Sequence, residues 1–310
     1  MVSRKTQRSK TVKYSLVSII AILSFAFTVS LLKFLATERP EAEYAATEVE
    51  QDTSEQIVEE DSQKSTPINF QPVVDQWVAS TGGRKGIVIY DPEVGEIVGH
   101  YNADQKFDTA SLYKLFVVYE GYRQVQNGAL KLDENAGRTG YTILKCLDLA
   151  IRESYSPCAE TLWTMIGRDT LDKVVRNDFN IQGMTVSDLE ATPTEIMQIM
   201  KLFYSHPDIK DEILLDKIQD SFLNQPATEY NWRQGLPSGF SDRVDVYNKV
   251  GWDWNGKSWN IYNDAAILNF RDEGRQFIVV VMTSGVRYQQ IRDLGVQIEK
   301  SFYDQNVLKN

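Results

Sequence analysis

Residues 86–101 have the sequence GIVIYDPEVGEIVGHY, in which two apolar runs flank a short polar loop. Valine and isoleucine fit the pleated surface of a strand, and Asp91, Pro92 and Gly95 are residues typical of a tight turn. The stretch therefore predicts an antiparallel β-hairpin. A hairpin is not stable by itself, so it needs further strands or helices to complete a core.

The predicted partners of this hairpin lie at the other end of the chain. Three more apolar runs predict strands, at residues 244–250, 259–270 and 276–282. Helical periodicity is found outside the strands, at residues 70–78, 111–127, 141–205 and 286–303. The pattern predicts an α+β, two-lobed fold, in which one antiparallel sheet is built from both ends of the domain. Helices flank this sheet, and an all-helical insertion lies between its halves.

The composition is that of a globular protein with an acidic balance. The 310 residues are 42% hydrophobic and 25% charged, and they carry a formal net charge of −10. Binding to phosphate backbones needs clustered lysine and arginine, so no nucleic-acid partner is expected. Two histidines and two cysteines are too few for a zinc site of the usual spacing, and no Gly-rich phosphate loop occurs. No cofactor or metal is therefore expected.

The N-terminal segment predicts a membrane anchor. Residues 15–32 carry no charge, and as a helix they are about 27 Å long, close to the thickness of a hydrocarbon core. Basic residues and no acid precede them. Residues 1–14 are therefore predicted to stay cytoplasmic, residues 15–36 to cross the cell membrane once, and the rest to lie outside. A cleaved signal peptide is the alternative, but residues 34–36 make a poor cleavage site, so an anchor is favoured.

Residues 37–67 predict a flexible acidic linker. Their many glutamates and aspartates are opposed only by Arg39 and Lys64. Such a segment cannot bury enough apolar surface to offset its ordering entropy, and its like charges extend it. The folded domain is therefore predicted at residues 68–310.

Ser111-Leu-Tyr-Lys114 is the first candidate for chemistry. Ser111 is predicted to open a helix and Lys114 lies one turn later, so their side chains share a face. A serine hydroxyl needs a base to act as a nucleophile, and a partly desolvated lysine can lose its proton and serve as that base. The plain alternative is a helix N-terminus followed by a surface lysine, and Ser30 to Lys33 in the predicted anchor has the same spacing.

Two further serines precede a proline in Ser154-Tyr-Ser156-Pro157. Pro157 suits the first turn of a helix, and Ser156 suits its N-cap. Ser154 is then left on the preceding loop, where its hydroxyl can relay a proton to a leaving group.

Lys249-Val-Gly251-Trp252 falls late in a predicted strand. Gly251 allows close approach of the backbone to a ligand, and a lysine at a strand edge suits an anionic substrate. The alternative is a surface lysine on an edge strand. Each of these short motifs is weak by itself.

Cys146 and Cys158 lie in the segment predicted to be exported, where a disulfide is allowed. On one continuous helix they would be about 18 Å apart, too far to pair. The break at Ser156 and Pro157 makes two packed helices possible, but two buried thiols are favoured over a bridge.

The motifs S-x-x-K, S-x-x and K-x-G occur in the order and at the separations of the class A β-lactamase and penicillin-binding superfamily, which the chain resembles. The resemblance covers about residues 70–305, since it extends to residues 86–96, 102–104, 109–114, 123–134, 191–197 and 263–266. It implies a β-lactamase/transpeptidase-like fold for the domain. A Ser-His-Asp triad is disfavoured, because no G-x-S-x-G accompanies His100 and His206.

The resemblance implies a role for each motif. Ser111 resembles the acylated nucleophile, Lys114 its base, and Ser154 the serine that shuttles a proton to the departing nitrogen. The residues that it implies in substrate binding are Ser156, Lys249, Gly251 and Trp252. It also places the backbone N–H groups of Ser111 and Trp252 at the oxyanion hole.

The sequence departs from the family pattern at three places. Tyr155 and Ser156 stand where the family has Asp and Asn, and Val250 replaces a threonine whose hydroxyl contacts a substrate carboxylate. The segment from Ser154 to Pro193 is roughly a dozen residues shorter than a full Ω loop needs. It also lacks the E-x-x-L-N motif, whose glutamate holds the deacylating water. Efficient β-lactam turnover is therefore not expected.

Three functions follow as hypotheses. The favoured one is a membrane-anchored, β-lactamase-like serine hydrolase that acts on β-lactam or D-Ala-D-Ala-type amides through a Ser111 acyl-enzyme, with a role in β-lactam catabolism and the response to antibiotic. The others are a penicillin-binding D-alanyl-D-alanine peptidase with slow deacylation and a non-catalytic cell-envelope binding module on the same fold. Expected partners are a β-lactam or a peptidoglycan stem peptide and, through residues 15–36, the membrane. The sequence indicates no protein partner.

Overall fold

A computed structural model describes residues 68–225, 232–254 and 259–307 of the chain. The predicted cytoplasmic N-terminus, anchor and linker, residues 1–67, lie outside these residues. Within the described ranges, no helix has both the length and the apolar character needed to cross a membrane.

A five-stranded antiparallel sheet forms the centre of the domain. In chain order the strands of the fold are β1 (Arg84–Asp91), β2 (Glu96–Tyr101), β3 (Phe107–Asp108), β4 (Glu190–Ala191), β5 (Val244–Trp254), β6 (Trp259–Phe270) and β7 (Arg275–Ser284). The large sheet has the order β2-β1-β7-β6-β5. Ile87 of β1 pairs with Tyr101 in the predicted hairpin and with Val281 of β7 on its other side. The prediction of one sheet built from both ends of the domain is therefore confirmed.

Helices cover both faces of this sheet. They are α1 (Gln71–Ser80), α2 (Lys114–Gln126), α3 (Ile143–Arg152), α4 (Ser156–Ile166), α5 (Arg168–Asn177), α6 (Pro193–Ser205), α7 (Glu212–Leu223) and α8 (Tyr288–Val307). The starts of α3, α6 and α7 have side-chain caps. In α6, for example, the side chain of Thr192 accepts from the N–H of Glu195, whose carboxylate accepts from the N–H of Thr192, which is a capping box.

The insertion between the hairpin and β5 is not all helical, and that part of the prediction was wrong. The short strands β3 and β4 pair, with Phe107 opposite Ala191. The N–H of Thr109 also donates to the carbonyl oxygen of Leu189, at 2.8 Å. The backbone leading into α2 thus finds hydrogen-bond partners in the segment before α6, as buried backbone groups must.

The two faces of the sheet bury separate cores, which gives the domain its two lobes. Successive residues of β7 alternate between them, so Val279 packs with α1 and α8 and Val280 packs with the helical insertion. In the first core the rings of Phe270 and Phe302 stack with centroids 3.9 Å apart. In the second, the ring of Tyr119 packs edge-on against Phe203 at 5.1 Å.

Cys146 and Cys158 form a disulfide, so the favoured prediction of two buried thiols was wrong. Helix α3 ends at Arg152 and α4 begins at Ser156, and the two helices pack against each other. This brings the two Cα atoms to 4.8 Å, a separation that a disulfide can bridge. The bridge lies at the start of α4, directly after the loop that carries Ser154.

Candidate active site

The turn that carries Ser111 is held by the neighbouring sheet. Ser111 lies in a short 3-10 turn that leads into α2, and the preceding Ala110 has a φ of 43°, in the left-handed region that side chains rarely adopt. The buried amide of Asn263 on β6 donates to the carbonyl oxygens of Asp108 (2.8 Å) and Thr109 (3.2 Å). These bonds fix the backbone immediately before Ser111.

Gly251 lets β5 approach this turn closely. A Cβ at this position would lie 2.4 Å from the carbonyl oxygen of Thr109 and 2.8 Å from the side chain of Leu112, well inside van der Waals contact. The sequence predicted that the glycine makes room for a ligand. The structure places the chain's own backbone there instead, so packing of strand against turn is the reason for the glycine.

Lys114 contacts all three candidate hydroxyls. Its Nζ is 2.9 Å from the Oγ of Ser111, 3.3 Å from that of Ser154 and 3.0 Å from that of Ser156. It also donates to the carbonyl oxygen of Ser154. Ser111 and Lys114 meet because side chains three residues apart share a helix face.

Lys114 is fully buried, with 0% of its surface exposed. This burial lowers the pKa of Lys114 to about 7, while the carboxylate of Glu160 acts in the opposite direction. Near neutral pH a substantial fraction of the amine is therefore unprotonated and able to accept a proton. The alternative of a surface lysine at this position is wrong.

Ser154 lies between the two candidate lysines. It occupies the loop from α3 to α4 with a φ of 53°, and its Oγ is 2.8 Å from the Nζ of Lys249 as well as 3.3 Å from that of Lys114. A hydroxyl has one donor and two acceptor positions, so it can accept from one amine and donate to another. The position suits the predicted proton relay.

Ser156 does not cap α4, as its predicted alternative role required. The N-cap is Tyr155, and no side chain caps this helix end. Ser156 is the first helical residue, and its Oγ accepts from Lys114. The tertiary contact with a buried amine has taken precedence over the local capping preference.

Lys249 is buried in the middle of β5, the edge strand of the sheet. Its Nζ donates to the Oγ of Ser154 at 2.8 Å and to the carbonyl oxygen of Val250 at 2.6 Å. Burial and the neighbouring amine of Lys114 hold the pKa of Lys249 well below its ordinary value, and Asp264 opposes them. The edge position agrees with the prediction, but the alternative of an exposed edge lysine is wrong.

The ring of Trp252 belongs to an aromatic cluster beside the site. Its centroid is 4.9 Å from that of Tyr262, 5.8 Å from that of Tyr288 and 5.5 Å from that of Trp232. The Nε1 of Trp232 donates to the carbonyl oxygen of Glu153 at 3.0 Å. The cluster thus braces the loop that carries Ser154, and the predicted contact of Trp252 with substrate stays a prediction for its backbone N–H.

A buried carboxylate close to the site was not predicted. Asp264 on β6 is 0% exposed and accepts from the Nδ2 of Asn248 (2.9 Å) and the N–H of Leu236 (3.0 Å). Burial raises the pKa of Asp264 to about 7. The available sequence signal was an Asn-Asp pair inside a strand of otherwise mostly apolar residues, since acidic side chains are seldom buried without partners.

Glu160 was also missed. Its carboxylate accepts from the hydroxyl of Tyr113 at 2.7 Å and pairs with Arg168. It is the acid whose charge acts on the amine of Lys114. No local pattern indicates this contact, because α4 must fold against the start of α2 to produce it.

The segment before α6 supplies no carboxylate to the cluster. Asp188 accepts from the hydroxyl of Thr185, and Glu190 is exposed in β4. Among the described residues, neither acid is hydrogen-bonded to Ser111 or Lys114.

The hydroxyl of Ser111 contacts the buried amine of Lys114 directly, and the hydroxyl of Ser154 links that amine to the buried amine of Lys249. A neutral Lys114 can take the proton of Ser111 as its Oγ attacks an acyl carbon, which is general-base activation of a nucleophile. In the part of the chain that the structure describes, no cluster of three or more His, Cys, Asp or Glu side chains is placed to hold a metal ion. The contact between the hydroxyl of Ser111 and the amine of Lys114 suits acyl transfer to Ser111.

Comparisons with known proteins point to one family. The family model described as "Beta-lactamase enzyme family" matches residues 69–305. A search of curated proteins finds no match to the chain.

Solved structures share the fold at low sequence identity. A β-lactamase from Chitinophaga pinensis is 15% identical, with 75% of this chain and 97% of that chain covered and a TM-score of 0.63. A class A representative from Bacteroides cellulosilyticus is 16% identical, with coverages of 76% and 98% and a TM-score of 0.63. An ancestral class A β-lactamase is 16% identical, with coverages of 74% and 99% and a TM-score of 0.62.

Proposed function

The chain belongs to the β-lactamase enzyme family and is a hydrolase of the β-lactamase-like serine type, and from this premise we propose that its substrates acylate Ser111. The substrates are β-lactams or D-Ala-D-Ala-type amides of peptidoglycan stem peptides. One observation carries the proposal: the Oγ of Ser111 is 2.9 Å from the Nζ of Lys114, a buried amine whose pKa is lowered by its burial. The expected resemblance to this family and its α+β fold is confirmed.

Acylation proceeds by a balanced proton transfer. The hydroxyl proton of Ser111 passes to the neutral amine of Lys114 while Oγ bonds to the carbonyl carbon of the amide. The backbone N–H groups of Ser111 and Trp252 receive the negative charge on the carbonyl oxygen. When the C–N bond breaks, the departing nitrogen takes the hydroxyl proton of Ser154. A lysine ammonium group that contacts Ser154 then gives a proton back to its Oγ. The product is a Ser111 ester.

A peptidase with slow deacylation is the second candidate. It is favoured by one observation, that no acid of the segment before α6 is hydrogen-bonded to Ser111 or Lys114 among the described residues. A deacylating water needs a base within hydrogen-bond reach. The third candidate, a non-catalytic envelope module, has no comparable support, because a buried lysine hydrogen-bonded to three serines is costly to keep for structure alone.

The direct test is incubation of the full-length chain with a labelled penicillin, followed by mass spectrometry. We expect a covalent adduct on Ser111, and none in Ser111→Ala. Ser205→Ala, which changes an exposed serine on α6, is the matched control and keeps the adduct. A wild-type chain that stays unmodified by penicillins and cephalosporins would leave the non-catalytic module as the function.

The same sample separates hydrolase from peptidase. After excess ligand is removed, the adduct mass is followed over time. Persistence for hours favours the slow-deacylating peptidase, whereas rapid loss with multiple turnover of a chromogenic cephalosporin establishes a β-lactamase.

We also propose that residues 15–36 anchor the enzyme in the cell membrane with the domain outside. The support is the uncharged run and its basic N-terminal flank. In cells that express the full-length chain, the protein should sediment with membranes and resist carbonate extraction. Deletion of residues 15–36 should release it from membranes, and a wild-type chain found in the soluble fraction would refute the anchor.

A further inference from the structure

A short segment between α3 and α4, residues 153–156, supplies three hydrogen-bond acceptors to Lys114. They are the hydroxyls of Ser154 and Ser156 and the carbonyl oxygen of Ser154. The Oγ of Ser154 also accepts from Lys249 at 2.8 Å. A displacement of about 1 Å in a catalytic arrangement can cost about 10²-fold in rate. The reactivity of the site therefore depends on how firmly the 153–156 segment is held.

The 153–156 segment has a conformation that needs support. Ser154 has a φ of 53°, in the left-handed region that residues other than glycine rarely adopt. Such a backbone persists only where the surrounding structure holds it in place. Tyr155, Ser156 and the following Pro157 are exposed, so packing of their side chains in the core supplies little of this support.

The two ends of the segment are held unequally. At the α3 end, the N–H groups of Glu153 and Tyr155 donate to the carbonyl oxygen of Leu149, at 3.1 Å and 3.0 Å. At the α4 end, the N–H of Ala159 lies 3.4 Å from the carbonyl oxygen of Tyr155, beyond the usual length of such a bond. Among the described residues no side chain caps this end of α4. The backbone therefore holds the start of α4 weakly.

The disulfide lies where the start of α4 lacks other support. Cys158 is in the first turn of α4, two residues after Ser156, and it bridges to Cys146 in α3 with Cα atoms 4.8 Å apart. Both cysteines are 0% exposed. The bridge thus spans the 153–156 segment and fixes the first turn of α4 on α3, which keeps Ser154 and Ser156 within reach of Lys114.

We propose that Cys146 and Cys158 are positioning residues for acylation, because their bridge holds Ser154 and Ser156 against Lys114. The inference rests on the proposed function. The reactive form of the protein is the one with the disulfide formed, which suits a compartment that oxidises thiols.

The first experiment compares acylation with and without the bridge. Cys146→Ala with Cys158→Ala removes the disulfide from the full-length chain, and we expect the rate constant for penicillin acylation of Ser111 to fall about tenfold or more in the folded protein. Val175→Ala removes buried methyl groups from α5 and keeps the bridge. It is the matched control for lost stability and should be acylated at the wild-type rate. A folded chain without the bridge that is acylated at the wild-type rate overturns the proposal.

A double-mutant cycle separates positioning from stability. Ser156→Ala removes a hydroxyl that the bridge holds against Lys114, and without the bridge that hydroxyl is no longer held. We expect Ser156→Ala to slow acylation about fivefold in the wild-type background and less than about twofold in the chain without the bridge. Equal factors in the two backgrounds would show that the disulfide contributes stability alone, and the proposal would then be wrong.

Reduction of the wild type replaces the first comparison if the alanine pair does not fold. A water-soluble phosphine is oxidised, with an oxygen atom from water, while the disulfide is reduced to two thiols. Acylation is measured before reduction, after it and after reoxidation in air, with thiol counting at each stage. A rate that falls and then recovers supports the proposal, and an unchanged rate in folded protein with two free thiols overturns it.

Hydrogen exchange tests the same inference without a substrate. The amides of residues 153–159 should exchange about tenfold faster in the chain without the bridge, prepared by substitution or by reduction, and at the wild-type rate in Val175→Ala. Unchanged exchange in the chain without the bridge overturns the positioning role. Failure of the proposed function has a different signature, since the wild type would then form no Ser111 adduct.

Discussion

Two buried lysines of this domain have different surroundings. Lys85 in β1 is 7% exposed and donates to the carbonyl oxygens of Val78 and Thr81. Lys114 at the start of α2 is 0% exposed and is surrounded by three serine hydroxyls and one carbonyl oxygen. Burial lowers the pKa of both amines.

The two amines differ in whether their hydrogen-bond partners can donate as well as accept. A carbonyl oxygen only accepts, so the two carbonyls around Lys85 favour an amine that donates and stays charged. A hydroxyl can also donate, so the serines around Lys114 can still hydrogen-bond to the amine after it loses a proton. A lowered pKa therefore does not identify a base by itself. The chemistry of the neighbouring groups distinguishes a structural amine from a reactive one.

The largest expected effect is on the acylation of Ser111. Replacing Lys114 by methionine removes the base and should lower the second-order rate constant for penicillin acylation by about 10³-fold. Lys85→Met should leave this constant unchanged in the folded protein. Rapid-quench mass spectrometry of the full-length variants measures both, and equal losses in the two would show that burial and not the partner groups sets reactivity.

The pH dependence is the next effect. Only the neutral amine of Lys114 accepts a proton, and its pKa is lowered to about 7 by burial. Below that pH, acylation should fall about tenfold for each pH unit, and above it the rate should level off. The profile should be the same in Lys85→Met. An acylation rate that does not change from pH 5 to 8 would exclude Lys114 as the titrating base.

The fold was predictable from the sequence where local pattern decides it. The hairpin at 86–101 carries its own turn residues, and the contact of Ser111 with Lys114 follows from helix spacing. The contact of Lys249 with Ser154 depends on the docking of β5 against the helical lobe. No spacing indicates this, so it entered only through the resemblance to a family.

The differences between the structure and the sequence-based expectations have physical causes as well. Ser156 has the local chemistry of an N-cap, which was the alternative to its role at the site, but its hydroxyl accepts a hydrogen bond from the buried amine of Lys114. Cys146 and Cys158 pair because a helix break of three residues folds α4 back on α3. In both cases tertiary packing overrides a preference that operates over a few neighbouring residues.

Stability should change in opposite directions at the two lysines. An unfolded Lys114 keeps its proton up to pH 10.5 and the folded one only to about 7. Folding below pH 7 therefore carries the full burial cost, which disappears as the pH rises to 10.5. At pH 7, Lys114→Met should raise the free energy of unfolding by about 2 kcal/mol, after its lost hydrogen bonds are subtracted.

Lys85→Met should lower that free energy by about 1–3 kcal/mol, because the carbonyl oxygens of Val78 and Thr81 lose their donor. Denaturant unfolding of Lys114→Met, Lys85→Met and the wild type at pH 7 and pH 9.5 measures both changes in the free energy of unfolding. The gain in stability of Lys114→Met should shrink at the higher pH, where the wild type carries only a small part of the burial cost. If Lys114→Met raises the free energy of unfolding equally at both pH values, burial of the charged amine does not destabilise the folded protein.

The smallest expected effect comes from one hydroxyl of the Lys114 cluster. Ser156→Ala removes an acceptor 3.0 Å from Nζ and should lower the acylation plateau about fivefold. The lost acceptor favoured the charged amine, so the acid limb of the pH profile should also move to lower pH. Ser205→Ala, whose hydroxyl bonds a backbone carbonyl of α6, is the control and moves neither quantity. If the hydroxyl of Ser156 served as a helix cap instead, Ser156→Ala would lower the free energy of unfolding and leave the acid limb of the pH profile unchanged. A shift of the acid limb to lower pH therefore distinguishes a contact with Lys114 from a capping role.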